Sequence, residues 1–382
     1  MSLDKTKLCN QLKVVEQIKE SSDSVTLVLD IPEKLRDKFR YSAGQFVTFF
    51  LDIDGQELHR SYSLCTSPDF DQKFAVTVKR VPGGRGSTFL TENVHVGDEL
   101  WTTPPAGRFT LPEKIAEQKL VFFAAGSGIT PIFSLIKSAL KKTTLPCLLF
   151  YQNRTEDAVI FRSQLDELEK TSQGRFTVTH VLSNPDSEWK GLRGRAHHNM
   201  IREFLIRHQV GIRSLYFLCG PTGFMETVET ALKSMSVDPL KIISESFATS
   251  PSPAEGPETT PPSTVTAAAK TNAPDLTGMV TIGDPSDVGS PELIEVRWEG
   301  ETKTVPYKGN ASILETLLDA DLNPPYSCMD GACMACMAKV EKGLVYQADP
   351  GILCDDNIEA KECLTCQSRP ASKIVRVNYD AF

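Results

Sequence analysis

Four cysteines near the C-terminal end have the type and spacing to hold metal. The stretch PYSCMDGACMACMAKV, Pro325 to Val340, sets Cys328, Cys333 and Cys336 at Cys-x4-Cys-x2-Cys, and Cys366 follows in CLTCQ. Three thiolates on one short loop and a fourth from a distant segment form the pattern that holds a 2Fe–2S cluster. The loop's amides can hydrogen-bond the cluster sulfurs, and Gly331, Ala332 and Ala335 leave room for the backbone to lie close. Cys333/Cys336 and Cys363/Cys366 also make two Cys-x2-Cys pairs, the arrangement of a zinc site. The longer cysteine pattern is read in preference to it.

Five further motifs carry polar groups at strand ends. RSYSLC offers a guanidinium for a pyrophosphate (Arg60), a ring to cover a flat cofactor (Tyr62) and a hydroxyl that can reach its edge (Ser63). KRVPGGRGSTFL supplies three glycines with Arg85, Ser87 and Thr88, a cradle for phosphate, or else a plain turn. AAGSGITP follows a buried strand and opens a helix, so Gly126 and Gly128 let the backbone approach a dinucleotide. It is not Gly-x-Gly-x-x-Gly, so a standard Rossmann dehydrogenase is not supported. LCGPTGFM repeats the arrangement at a later strand end, with Cys219 and Gly220 where a nicotinamide must stack; a small core cysteine is the alternative. YQNRTEDAVIF sets Asn153 and Arg154 at another strand end, available to a ribose or phosphate or simply solvated.

The elements that must position these residues fall into three blocks. Up to about residue 112, short β-branched and aromatic runs (Val25 to Ile31, Gln45 to Ile53, His59 to Cys65, Phe74 to Val81) alternate with turn residues, predicting an antiparallel β-barrel. From 113 to 247, strands alternate with helices. KLVFFAA, LPCLLFYQN, FTVTHVLS and SLYFLCG are the strands, and IFSLIKSALKK, FRSQLDELEK, HNMIREFLI and FMETVETALKSM the helices. That order predicts an α/β doubly wound parallel sheet with ligands at the strands' carboxyl ends. Residues 248–289, with SPSPAEGPETTPPST at their heart, hold too little apolar side chain to offset the entropy of ordering and read as a flexible linker. Residues 290–382 resume with a hairpin, an amphipathic helix over Ala311 to Leu322, and the cysteine loop.

A chain of 382 residues has room for two or three domains, each with its own core. Its net charge of −8 argues against nucleic acid and anionic membrane surfaces as partners. From Pro291 to Phe382 there are 15 acidic and 9 basic residues, which suits docking onto a basic redox partner, or solubility alone. No stretch reaches the roughly 18 apolar residues of a membrane helix, and MSLDKTKLCNQLKV lacks the apolar core of a signal peptide. Ten cysteines in a long chain, four of them cluster ligands, fit a reducing cytoplasm.

Taken in order, RSYS, GGRGST, PPAGRF, GSGITP and CGPTGFM resemble the ferredoxin–NADP reductase superfamily. With the C-terminal cysteines, the chain resembles the flavin–nicotinamide–ferredoxin reductases of bacterial oxygenases, of the kind found in phenylacetyl-CoA epoxidase and ketosteroid hydroxylase systems. The resemblance implies an FAD-binding barrel (1–112), an NAD(P)-binding domain (113–247) and a β-grasp plant-type ferredoxin domain (290–382). It assigns Arg60, Tyr62 and Ser63 to the flavin, and Gly86, Ser87 and Thr88 to its phosphates. Gly126 and Thr130 fall to the dinucleotide loop, and Cys219, Gly220 and Pro221 to the nicotinamide side. Phe247 lies near the flavin ring, so Ser63, Cys219 and Phe247 form the reacting centre. Cys328, Cys333, Cys336 and Cys366 match the cluster ligands; Cys354 and Cys363 have no family role, and Cys363 competes with Cys366. The implied activity moves electrons from NAD(P)H through FAD to the cluster and on to a terminal oxygenase. A desaturase, haem protein or ferredoxin as acceptor, or a non-catalytic redox sensor, are the rival readings. NADH against NADPH stays open, with Arg154, Arg162 and Arg193 as arginines that could meet a 2′-phosphate. FAD is preferred to FMN on the GGRGST match. The six histidines show no metal spacing, and His197 and His198 read as surface residues at a helix start.

Overall fold

The computed structural model describes residues 9–211, 213–246 and 279–381, the last stretch with gaps at 308, 310, 323, 327–330, 332–335, 349–352 and 354. Most of the expected linker, Phe247, Cys328, Cys333 and Cys354 therefore lie outside the described residues. The chain divides into two compact units, Met1–Phe247 and Ala248–Phe382.

The first unit opens with an antiparallel barrel of six strands: β1 (Asn10–Ser21), β2 (Ser24–Asp30), β3 (Phe46–Ile53), β4 (Gln56–Ser63), β5 (Phe74–Lys79) and β6 (Glu99–Thr102). Their order is β4-β3-β6-β1-β2-β5, and a bridge from Leu64 to Val76 joins the two edges. β1 is an addition to the sequence reading. Leu12 and Val14 alternate into the core at 0% exposure while Lys13 and Val15 face out, and its charged face masked the strand. A two-residue Asp54-Gly55 turn, both residues at positive φ, pairs Ile53 with Gln56 and so fixes the register of β3 and β4. That register sets where Arg60, Tyr62 and Ser63 fall. A short helix, α1 (Arg85–Thr88), carries the second motif.

Next comes a fully parallel sheet. Its strands are β7 (Lys119–Ala125), β8 (Cys147–Asn153), β9 (Phe176–Leu182), β10 (Leu192–Arg193), β11 (Ser214–Gly220) and β12 (Ile242–Ser246), in the order β10-β9-β8-β7-β11-β12. Helices α2 (Ile129–Lys142) and α3 (Arg162–Thr171) pack on one face, α4 (His198–Arg207) and α5 (Thr222–Ser234) on the other. The chain winds outward in both directions from β7, so the crevice at the carboxyl ends of β7 and β11 is the switch point. Exposed His197 caps α4, its Nδ1 accepting from Met200 N at 3.4 Å.

A polar seam fastens the barrel to α2. Ser134 Oγ donates to Thr66 O and Ser138 Oγ to Asp69, both at 2.5 Å, and Lys137 Nζ meets Asp71 at 2.5 Å. Lys137 is 5% exposed and lies over the Phe133 ring, so its charge is compensated on both sides. Gly44, at φ +92°, passes so close to Phe109 that a Cβ would stand 1.9 Å from its carbonyl oxygen. Only glycine fits there.

The second unit is a β-grasp fold. Strands β14 (Leu293–Trp298), β15 (Glu301–Pro306), β16 (Met337–Lys342), β18 (Glu362–Leu364) and β20 (Ile374–Asn378) form one sheet in the order β15-β14-β20-β16-β18. Strands β13 (Met279–Gly283), β17 (Leu344–Ala348) and β19 (Ser368–Pro370) form a smaller one. β13 corrects the expected linker. Five residues assigned to the tether pair with β17, so the folded unit begins before residue 290. Helix α6 (Ile313–Asp319) is shorter than the expected Ala311 to Leu322 because a capping box of Ser312 and Glu315 starts it late. Its Leu314 packs against Cys336, Leu364 and Cys366. A short α7 (Asp355–Glu359) completes the unit. No helix among the described residues is long and apolar enough to cross a membrane.

Candidate active site and cluster pocket

Arg60 and Tyr62 stand two apart on β4 and share a face. A Cβ added to Gly86 would lie 2.9 Å from Arg60 Cγ, so the arginine stem rests on the start of α1 and the two motifs converge. Ser87 Oγ accepts from Val81 N at 3.0 Å and donates to Gly84 O at 3.2 Å. Its hydroxyl therefore closes the glycine loop, leaving the first backbone amides of α1 and Arg60 as the groups suited to phosphate. Arg85 reaches Gln56 Oε1 and Ile53 O, pinning the loop to the β3–β4 hairpin. Between them lies a cavity of about 460 Å³ lined by Asp52, Gly84, Arg85, Thr88 and Phe89 among others. Tyr62 packs its ring 5.8 Å from Phe49, and burial pushes its hydroxyl far above the ordinary value, so it stays neutral.

At the switch point, Gly126 takes φ +55°, and Tyr151 donates to its carbonyl at 3.2 Å. Thr130 Oγ1 donates to Ser127 O at 2.9 Å, bracing the turn into α2. A Cβ on Gly128 would fall 2.2 Å from Cys219 O, so this loop can pack on the end of β11 only with glycine there. Cys219 is fully buried between Ala124 of β7 and Glu245 of β12. Burial, then the neighbouring Glu245, holds its thiol well above the usual range. It is a neutral, soft surface rather than a nucleophile. Gly220 and Pro221 lead into α5. Ser63 Oγ, from the barrel, donates to Glu245 Oε2 at 3.4 Å. Burial pushes the Glu245 carboxyl up to about 8, the Ser63 contact pulling the other way.

In the second unit, Cys336 and Cys366 are 2% and 9% exposed, and their sulfurs stand 3.2 Å apart. That is well beyond a disulfide bond of roughly 2.05 Å and suits two thiolates turned toward one metal. Gly331, on the same loop, takes φ +76° and is buried. Cys363, only three residues before Cys366, points elsewhere. It is fully buried among Val340, Val375 and Val377, opposite Ala338, and burial pushes its thiol up to about 12. The second zinc-type knuckle therefore does not form. Cys328 and Cys333, outside the described residues, are the other two expected ligands.

Family models match in the same order: an oxidoreductase FAD-binding domain over residues 11–111, an oxidoreductase NAD-binding domain over 122–230, and a 2Fe–2S iron–sulfur cluster binding domain over 296–371. The chain is 31% identical over 372 residues, 96% of each chain, to the ferredoxin reductase component of 3-ketosteroid-9-alpha-monooxygenase from Rhodococcus rhodochrous. It belongs to the oxygenase reductases of the ferredoxin–NADP reductase superfamily. The E component of 1,2-phenylacetyl-CoA epoxidase from Escherichia coli is 28% identical over 97% of this chain and 98% of its own. Phthalate dioxygenase reductase, 22% identical, shares the fold at a TM-score of 0.53 over 97% of this chain and 98% of that one. As a member of this family the reductase binds FAD, a nicotinamide dinucleotide and a 2Fe–2S cluster, and passes electrons to a redox partner protein.

Within that reductase frame, two further features stand out. Glu245 escaped the sequence reading; the available signal was an acid in the terminal strand IISES, two residues before Phe247. Asn153, 5% exposed at the end of β8, leaves both side-chain polar atoms unpaired beside the dinucleotide loop, as fits a ligand contact. The three arginines separate. Arg162 pairs with Glu156 and Asp166, and Arg193 donates to the carbonyls of Asp186, Ser187 and Trp189. Arg154 is exposed at the end of β8, next to Asn153.

Proposed function

We propose that this reductase delivers its electrons to a terminal oxygenase in a reducing cytoplasm, with the site residues working as follows. The observation that carries the reading is the meeting of Ser63, Glu245 and Cys219 where the barrel abuts the switch point of the sheet. When bound, FAD accepts two electrons as a hydride from NAD(P)H and releases them singly, and the 2Fe–2S cluster carries one at a time. Arg60 and the amides at the start of α1 hold the flavin's phosphates, and the Tyr62 ring covers its flat portion. Gly126, Gly128, Thr130, Gly220 and Pro221 shape a dry slot for the dinucleotide, with Asn153 and Arg154 at its far end. Cys219 offers an uncharged wall to the nicotinamide. Glu245 holds a proton on its carboxyl at neutral pH, and Ser63 Oγ hydrogen-bonds that carboxyl from the barrel side. Cys328, Cys333, Cys336 and Cys366 hold the cluster.

The oxygenase as acceptor rests on the end-to-end likeness to the ketosteroid monooxygenase and phenylacetyl-CoA epoxidase proteins. An anaerobic titration with NADH and then NADPH, followed by visible absorption, tests the path. Bleaching of both the flavin band near ~450 nm and the broad cluster absorption is expected. Flavin and cluster that stay oxidised with either nucleotide would overturn the reading in favour of a non-catalytic sensor.

A further inference from the structure

The residue after Cys366 turns its side chain back onto the ligand. Gln367 Nε2 donates to Cys366 Sγ at 3.7 Å, within hydrogen-bonding range for sulfur. The turn that carries it is held from several sides. Gln367 N donates to Leu364 O at 2.8 Å, and Ala348 N to Gln367 O at 3.4 Å. Buried Gln347 accepts from Leu364 N at 2.5 Å and from Ser368 Oγ at 3.0 Å. Before the ligand, Thr365 Oγ1 and Thr365 N both donate to Cys336 O, at 2.9 and 3.2 Å. The buried Tyr379 hydroxyl meets Thr365 Oγ1 at 2.6 Å. The two ligand backbones are thus clamped together, and the Gln367 amide is aimed by a fixed turn.

A thiolate sulfur bound to the cluster grows more negative when the cluster is reduced. An N–H pointed at it stabilises the reduced form more than the oxidised one, and more strongly where water is scarce. Cys366 is only 9% exposed. We propose that Gln367 is a positioning residue that raises the reduction potential of the cluster through its hydrogen bond to Cys366, making transfer from the flavin favourable. This rests on Cys366 being a cluster ligand.

The test is an anaerobic redox titration of the full-length holoprotein, with the cluster followed by electron paramagnetic resonance and the flavin by absorption. Gln367→Leu lowers the equilibrium constant for cluster reduction roughly tenfold, about 59 mV for a one-electron couple, with cluster content and flavin potential unchanged. Gln367→Glu keeps the shape but replaces the donor with a negative acceptor, and lowers the potential further. A wild-type cluster potential in either variant, with the cluster fully retained, would overturn the proposal. Cys366→Ala separates the underlying assumption: if it keeps a normal cluster, Cys366 is not a ligand and the reading fails at its base.

Discussion

Glu245→Gln keeps the shape of a side chain whose carboxyl is pushed from 4.5 up to about 8. In the unfolded chain this group ionises near 4.5; in the folded chain it keeps its proton until near pH 8. Below 4.5 both states are protonated and its stabilising share is fully present. As pH rises from 4.5 to 8 only the folded state holds the proton, so stability falls, and above 8 the loss is complete. At ~1.4 kcal/mol per tenfold change in proton affinity, the displacement caps this loss at roughly 5 kcal/mol. Glu245 retains some exposure at the crevice edge, and solvent screening brings the expectation to about 2 kcal/mol. Glutamine cannot ionise and escapes the loss. For flavin-loaded protein, the melting temperature of the variant gains roughly 4–8 °C on wild type between about pH 5 and pH 8.5. Stopped-flow reduction of the flavin by dinucleotide inflects near pH 8 in wild type only. Melting curves that shift in parallel across that range would refute the buried, proton-holding Glu245.

Three other substitutions probe the rest of the machinery. Gly128→Ala drives a methyl into the Cys219 carbonyl, so flavin reduction by dinucleotide slows by about 10²-fold or more while flavin content, read at ~450 nm, is kept. Arg154→Ala raises the KM for NADPH by about tenfold more than that for NADH, because the other two arginines are engaged in local contacts; equal effects on both would remove Arg154 from 2′-phosphate recognition. Cys363→Ala lowers stability to urea by about 1–2 kcal/mol yet leaves the cluster absorption intact, since its sulfur fills core rather than binding iron.

Much of this was legible because the chemistry itself fixes spacing. The RSYS and GGRGST motifs read as a flavin site since each needs its strand end or glycine loop, and the fold brings the two into contact at Gly86 and Arg60. Apolar runs such as Lys119–Ala125 named their strands because burial on both faces leaves no polar positions. β1 was hidden for the opposite reason: one face is charged and only alternation marks it. β13 was hidden by neighbouring low-complexity sequence and a purely non-local partner, β17. Glu245 could not be weighted, because its raised pKa depends on burial created where the barrel and Ser63 meet the sheet. Cys363 against Cys366 turns on which way two cysteines three residues apart face, and pairing with Ala338 decides that.

The polar seam along α2 has a counterpart in the core. Val28, Ala43, Cys65, Ala75 and Phe109 of the barrel belong to the same buried cluster as Ile132 of α2 and Leu120, Phe122, Leu149 and Phe217 of the sheet. Sequence families count a flavin module and a dinucleotide module; one buried cluster spans both, beside a core the barrel keeps to itself around Leu12, Leu27 and Phe49. That shared cluster couples the folding of the two modules. Recombination that exchanges nucleotide domains between such reductases must carry the matching barrel face with it, whereas the ferredoxin unit, with its own core, is free to be traded as a cassette.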